Sequence, residues 1–244
     1  MLHKTNGIVL RSIKYGDSSL ITTIFTAVYG IQTYIVQGVR STKAKQNRAG
    51  FFQPGMLLDL VVYQQPQKSM QRIREFSATY IYTGLQENVV KNSISIFSVE
   101  LLLRLLPEQA PLPALYDMAC EYFIALDKLS IHQVANFPLF FIIQCSKILG
   151  YDLKGNFPGE KTMNIMPEAG FAANSSSAMP FINNEDTGIL NLLLIADNYN
   201  VLEKIEMNAD IRLRLIDWFI AYLQLHTQHM GNLRSLSVLR AILH

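Results

Sequence analysis

Two cysteines in 244 residues, Cys120 and Cys145, cannot make a disulfide framework or a four-thiolate zinc site. Long apolar runs are missing too. Uninterrupted stretches such as residues 139–143 and 192–196 fall far short of the about 20 residues a spanning helix needs, so no membrane crossing is expected. Residues 1–7 carry no cationic start leading into an apolar core, and no signal peptide is expected. Two glycine pairs, Gly50/Gly55 and Gly150/Gly155, have Walker A spacing, but neither is followed by Lys-Ser or Lys-Thr. That excludes a P-loop, and no ATP hydrolysis is expected. No Gly-x-Gly-x-x-Gly occurs. What remains is a chain that is 50% apolar and 16% charged, too hydrophobic for disorder and long enough for one large domain or two small ones. A soluble, cytoplasmic protein is expected.

The net charge is only +2, but it is unevenly distributed. Residues 1–75 hold ten Lys or Arg against three Asp or Glu, a net +7, and the remainder is net −5. A basic block of that size can attract a polyanion, although a solvated lysine-rich surface would read the same way.

The hydrophobic period also changes along the chain. Residues 7–15, 20–26, 31–37, 56–63 and 71–80 are rich in β-branched and aromatic side chains, with turn signals at 15–17, 29–30 and 65–67. Five short strands with one long break at 39–54 predict a small closed barrel, an OB-fold or an SH3-like barrel. From about Leu85 the spacing becomes helical. Val89, Ile94, Phe97, Leu101, Leu102 and Leu105 precede Pro107, and a second stripe runs from Leu115 to Leu126. Asn136 is expected to cap a third helix, with Pro138 in its first turn and Gly150 as its stop. Further helices are expected at 185–197, 210–227 and 233–243. Strands followed by helices predict an α+β protein: a five-stranded OB-fold barrel over 1–82, then an all-helical domain over 83–244. The stretch 151–188, with its glycines, prolines and Ser-Ser-Ser run, is expected to be a long irregular insert in which short strands could hide.

Catalytic patterns are weak. Gly16-Asp17-Ser18-Ser19 resembles the nucleophile block of the GDSL esterases, but no Asp here has a His three residues later. A serine without its base is a poor nucleophile, so an inter-strand turn is the expected role. His226 and His229 share a helical face without an evident third ligand. Cys120 and Cys145 read as small buried hydrophobes, and Met163, Met166 and Met179 as packing under the long insert.

The break in the barrel is the richest segment. It carries Arg40, Lys43, Lys45 and Arg48 with no acid, then Phe51-Phe52. Lysine and arginine can follow a phosphate backbone, and aromatic faces can stack on unpaired bases. The phenylalanines could instead plug the end of the barrel.

Several residues together resemble the RecO family of bacterial recombination mediators and DNA-repair proteins. They are Gly7-Ile8-Val9-Leu10-Arg11, Tyr15-Gly16-Asp17-Ser18, Thr26 with Gly30, and Val36-Gln37-Gly38-Val39-Arg40 running into Lys43. Pro54, the aliphatic strand at 56–63, Leu149-Gly150-Tyr151 and Leu233-Arg234-Ser235-Leu236 fit as well, so the resemblance spans nearly the whole chain. It implies an N-terminal OB-fold, a helical C-terminal domain, no catalysis of bond chemistry and no cofactor. It also implies binding of single- and double-stranded DNA, ATP-independent annealing of complementary strands, and help in loading RecA onto coated strands. The implied partners are RecR and the acidic C-terminal tail of single-strand binding protein, with a nucleoid-associated location. In one respect the chain departs from the family. Many members carry a four-cysteine zinc module just after the Gly-Tyr, whereas no Cys or His lies between Tyr151 and His226 here. No zinc is expected there.

On this reading the barrel groove and its loop hold the phosphates. The expected DNA contacts are Arg11, Lys14, Arg40, Lys43, Lys45 and Arg48, with Tyr34 as a stacking side chain. The net-acidic helical half is expected to face protein partners, and Arg212, Arg214 and Trp218 are the candidates to receive an acidic tail ending in an aromatic residue. A protein–protein adaptor that uses the barrel for a protein partner is the competing reading.

Overall fold

Alternation of apolar and polar side chains puts every second residue of a strand on one face, and the N-terminal strands bury that face by closing on themselves. A computed structural model of the chain describes residues 1–40, 48–153, 163–164, 181–182, 184–227 and 230–243. In it, β1 (Leu2–Tyr15), β2 (Ser19–Thr26), β3 (Gly30–Val36), β4 (Leu57–Tyr63) and β5 (Met70–Ala78) form a closed barrel in the order β1-β2-β3-β5-β4. All neighbours are antiparallel except β3 and β5, which pair in parallel through Thr33/Met70, Tyr34/Gln71 and Ile35/Arg72. This is the OB-type barrel expected from the strand pattern. Its interior holds Val9, Ile24, Tyr34, Leu58, Leu60, Val62 and Ile73, and Phe52 enters from a 3₁₀ turn at Arg48–Phe52. Each such side chain contributes roughly 1.5–3 kcal/mol through burial.

The helices are α1 (Val89–Leu105), α2 (Pro113–Lys128), α3 (Phe137–Ile148), α4 (Asn184–Ile195), α5 (Tyr199–Glu203), α6 (Ala209–His226) and α7 (Ser235–Ile242). Two-residue strands β6 (Met163–Asn164) and β7 (Phe181–Ile182) pair within the stretch expected to be irregular, most of which lies outside the described residues. No helix among the described residues is long and apolar enough to cross a membrane.

The chain divides into two compact units that interleave along the sequence: Met1–Glu87 with Leu105–Lys128, and Asn88–Arg104 with Leu129–His244. In the first, α2 joins the barrel. The Tyr116 ring meets Phe25 edge-on at 5.5 Å, and Gln109 donates its backbone N–H to the Ile31 carbonyl at 3.2 Å. Gly30 makes this approach possible. Its φ is +66°, and a Cβ there would collide with the backbone of Ala110. At the far end of α2 the buried carboxylate of Asp127 accepts N–H bonds from Thr83 (3.1 Å), Gly84 (2.8 Å) and Leu85 (2.6 Å), and the Tyr80 hydroxyl at 2.9 Å. Burial pushes the Asp127 pKa up, but these donors outweigh it and the net shift is downward.

In the second unit α3 is apolar nearly all round, and Phe137, Leu139, Phe140, Phe141, Ile142, Ile143 and Cys145 are buried against neighbouring helices that include α4 and α6. Asn208 and Asn198 cap α6 and α5 by accepting from Ile211 N (2.9 Å) and Val201 N (3.0 Å). Glu100 does the same for α7 from a distance in sequence, accepting from the backbone N–H of Arg234 (2.9 Å) and Ser235 (2.8 Å). Asn136 does not cap α3 with its side chain, contrary to expectation. It donates instead to the Ile205 carbonyl at 2.9 Å and accepts from Arg212 Nε at 3.0 Å.

Candidate nucleic-acid interface

Cross-strand register decides which side chains share the outside of the barrel. Ile13 lies opposite Ile21, Ile21 opposite Ile35, Ile35 opposite Arg72, and Arg72 opposite Tyr63. Directly paired residues point to the same face, and here that face is the solvent. Ile13, Tyr63 and Arg72 are exposed, and Ile21 and Ile35 are half-buried. The adjoining row runs Arg11, Thr23, Thr33 and Met70. Arg11 is exposed beside a bulge between Val9 and Arg11.

The other expected cations are placed differently. Alternation turns Lys14 to the face opposite Arg11, where it lies across from Leu20 at the barrel rim and is exposed. Arg40 is tied to the β1–β2 turn. Its N–H donates to the Ser18 carbonyl at 3.0 Å, and its Nη1 to the Gly16 carbonyl at 3.1 Å. The Gly-Asp-Ser-Ser segment is therefore a strand-to-strand turn, with Gly16 at φ +58°. Arg48 packs its guanidinium 4.2 Å from the centroid of Phe76 on β5, close to the Phe51 and Phe52 rings that meet the same side chain edge-on. Phe52 is a core residue and Phe51 packs partly against the core, as the plugging alternative expects. Lys43 and Lys45 lie outside the described residues. Among the described residues, Arg11, Lys14, Lys68 and Arg72 make no ion pair.

Tyr34, expected to stack on a base, offers no free face. It is fully buried inside the barrel, its hydroxyl donates to Gln32 Oε1 at 2.8 Å, and burial raises its pKa far above the usual phenol value. Its ring cannot stack on a base. The strand alternates Ile31, Thr33 and Ile35 with Gln32, Tyr34 and Val36, and both sets hold apolar side chains, so periodicity alone did not say which face turns inward. Tyr63 is exposed on this side of the barrel, as is Tyr15 on β1. The cation-bearing turn after Tyr63, Gln64-Gln65-Pro66-Gln67-Lys68, was its available signal.

A family model described as Recombination protein O N terminal matches residues 1–82, and one described as Recombination protein O C terminal matches residues 86–237. The chain belongs to the RecO family. It is 26% identical over 242 residues to a protein of Christiangramia forsetii named DNA repair protein RecO, and 29% identical over 243 residues to one of the same name from Bacteroides fragilis. Each alignment covers 99% of both chains. A Flavobacterium psychrophilum protein of that name is 30% identical over 61% of each chain. The RecO N-terminal match coincides with the barrel that carries Arg11 and Arg72 on its outer face.

In the RecO C-terminal region, the residues expected to receive an acidic tail are not arranged as a cleft. Arg212 is buried. Its Nε binds Asn136 and its Nη2 donates to the Met207 carbonyl at 3.2 Å, while burial lowers its pKa. Trp218 is buried too, stacked on Tyr222 with centroids 5.6 Å apart. Arg214 holds the buried Asp186 carboxylate with both Nε (2.7 Å) and Nη2 (2.8 Å). Arg212 and Trp218 belong to the helical core, whereas Arg214 is exposed and paired with Asp186. His226 packs on Tyr222 with centroids 4.5 Å apart, and His229 lies outside the described residues. Burial raises the Cys120 thiol pKa to about 11 and that of Cys145 further, so both are protonated packing groups.

Proposed function

We propose that this RecO-family protein is a DNA repair and recombination mediator that binds single- and double-stranded DNA through the outside of its barrel. On this reading it anneals complementary strands without ATP and assists RecA loading onto DNA coated by single-strand binding protein. RecR and the acidic tail of single-strand binding protein are its protein partners, and it catalyses no bond chemistry. The observation that carries the reading is a set of exposed cations on a closed OB-type barrel, Arg11 and Arg72 on its outer face and Lys14 at its rim, which make no ion pair among the described residues. Cations placed this way can neutralise phosphates and release counterions. Arg40 keeps further guanidinium donors beyond the one given to Gly16, and it starts the segment that contains Lys43 and Lys45.

Annealing follows from the same electrostatics. Two strands repel along their backbones, and a shared basic surface lowers that repulsion so that bases can meet and pair. The test is the rate at which two complementary oligonucleotides anneal without nucleotide. The protein should accelerate annealing at low salt, and the acceleration should fade as salt rises. An unchanged rate at low salt would leave the barrel to a protein partner.

A further inference from the structure

Beside Tyr63 a cavity of about 410 Å³ opens on the outside of the barrel, lined by Ile35, Tyr63, Lys68, Met70 and Arg72 among others. Its walls are prearranged. The buried amide of Gln71 accepts from Gln65 N at 2.8 Å and donates to the carbonyls of Gln65 (2.9 Å) and Lys68 (2.7 Å), which fixes the β4–β5 turn. The Arg72 guanidinium lies 5.9 Å from the Tyr63 ring centroid, within cation–π range. Tyr63 and Met70 are 38% and 36% exposed, so an aromatic face and a soft apolar side chain are both open to a ligand. A flat apolar group that carries a negative charge close by would satisfy all of these side chains.

We propose that this pocket is a stacking subsite for one unpaired nucleobase of single-stranded DNA, with Tyr63 against the base and Arg72 and Lys68 at the adjoining phosphates. The proposal rests on the DNA-binding reading above and adds the place where an unpaired base is held. An isolated peptide anchor would need only the pocket. Here the row continues through Ile35, Ile21 and Ile13, with Arg11 in the adjoining row, across four strands about 4.8 Å apart. That is a track for successive nucleotides. A paired base is held in its own stack and cannot enter, so the pocket confers a preference for unpaired over paired DNA.

The test compares binding of labelled oligothymidylate with that of an abasic oligomer of the same length and charge. Wild type should bind the thymidylate roughly five- to a hundredfold more tightly, the range expected for one base stacked on an aromatic ring. Tyr63→Ala should lose most of that preference, Tyr63→Phe should keep it, and abasic binding should change little in either. Because Tyr63 is also paired with Leu2 in the sheet, a second measurement avoids the variants: photo-crosslinking wild type to an oligomer carrying 5-bromodeoxyuridine, with the attached residue found by mass spectrometry. Attachment at Tyr63 supports the proposal. No thymidylate preference, or attachment only outside the pocket, overturns it while salt-dependent binding of both oligomers leaves the barrel's DNA reading standing. If neither oligomer binds at low salt, the DNA reading fails and the subsite fails with it. If an acidic peptide ending in an aromatic residue crosslinks to Tyr63 and DNA does not, the pocket belongs to a protein partner and the proposal is overturned.

Discussion

Arg212 donates through Nε to Asn136 Oδ1 at 3.0 Å, and the two residues lie 76 apart in the chain. The contact ties α6 to the start of α3, and Asn136 passes the tie on to the Ile205 carbonyl. A guanidinium that the sequence offers as a ligand for an acidic tail is thereby part of the core.

Arg212→Ala should lower stability by about 1–3 kcal/mol, because it leaves the Asn136 oxygen buried without its donor. Urea denaturation measures this. Arg212→Lys should recover little, since a single ammonium cannot reproduce the planar donor geometry. DNA affinity of the folded fraction should not change.

Asp127 makes the barrel unit sensitive to acid. Its folded pKa lies below the unfolded value of about 3.9. The stabilisation is therefore fully present above about pH 4 and is lost as pH falls through the lower, folded value. Glu100 shifts in the same direction, and for it too burial, which raises the pKa, is outweighed by the donors at Ser235 and Arg234. Asp127→Asn should cost about 1–3 kcal/mol at neutral pH. The gap from wild type should close as the solution is acidified below the carboxylate range, as followed by unfolding at a series of pH values.

Two glycines with similar backbone angles should respond differently to alanine. Gly16 has φ +58° with open space around a Cβ, and Gly16→Ala should cost about 1 kcal/mol. Gly30 has φ +66° and faces the Ala110 backbone, so Gly30→Ala should cost clearly more. Thermal melts of the two variants compare them directly. Equal losses would mean that the 105–110 segment yields easily.

Much of the fold is legible in the chain, for a physical reason in each case. The strands show because β-branched residues alternate with polar ones, and the long helices show because their stripes run for several turns. The first residues of β1 are invisible because His3, Lys4, Thr5 and Asn6 have no apolar alternation. Their strand exists through pairing with residues 59–62 of β4. The five residues of α5 are too few for a period, although Asn198 was a capping signal. Strands followed by helices put α2 in the helical half, whereas the structure groups it with the barrel through the close approach at Gly30 and the Asp127 carboxylate. At the interface, Arg11 and Lys14 could be chosen by charge and strand position. The meeting of Tyr63 with Arg72 could not, because cross-strand register brings them together and the turn at 64–68 signals only that a strand ends there.

The most direct test of the account is the affinity for a single-stranded oligonucleotide across a salt series, without nucleotide, for wild type and for Arg11→Ala/Lys14→Ala/Arg72→Ala. Wild-type log affinity should fall linearly with log salt, and the triple variant should bind more weakly with a slope shallower by about 2, near 0.7 for each lost phosphate contact. A flat wild-type line, or a folded triple variant with unchanged affinity and slope, would contradict DNA binding by these cations of the barrel.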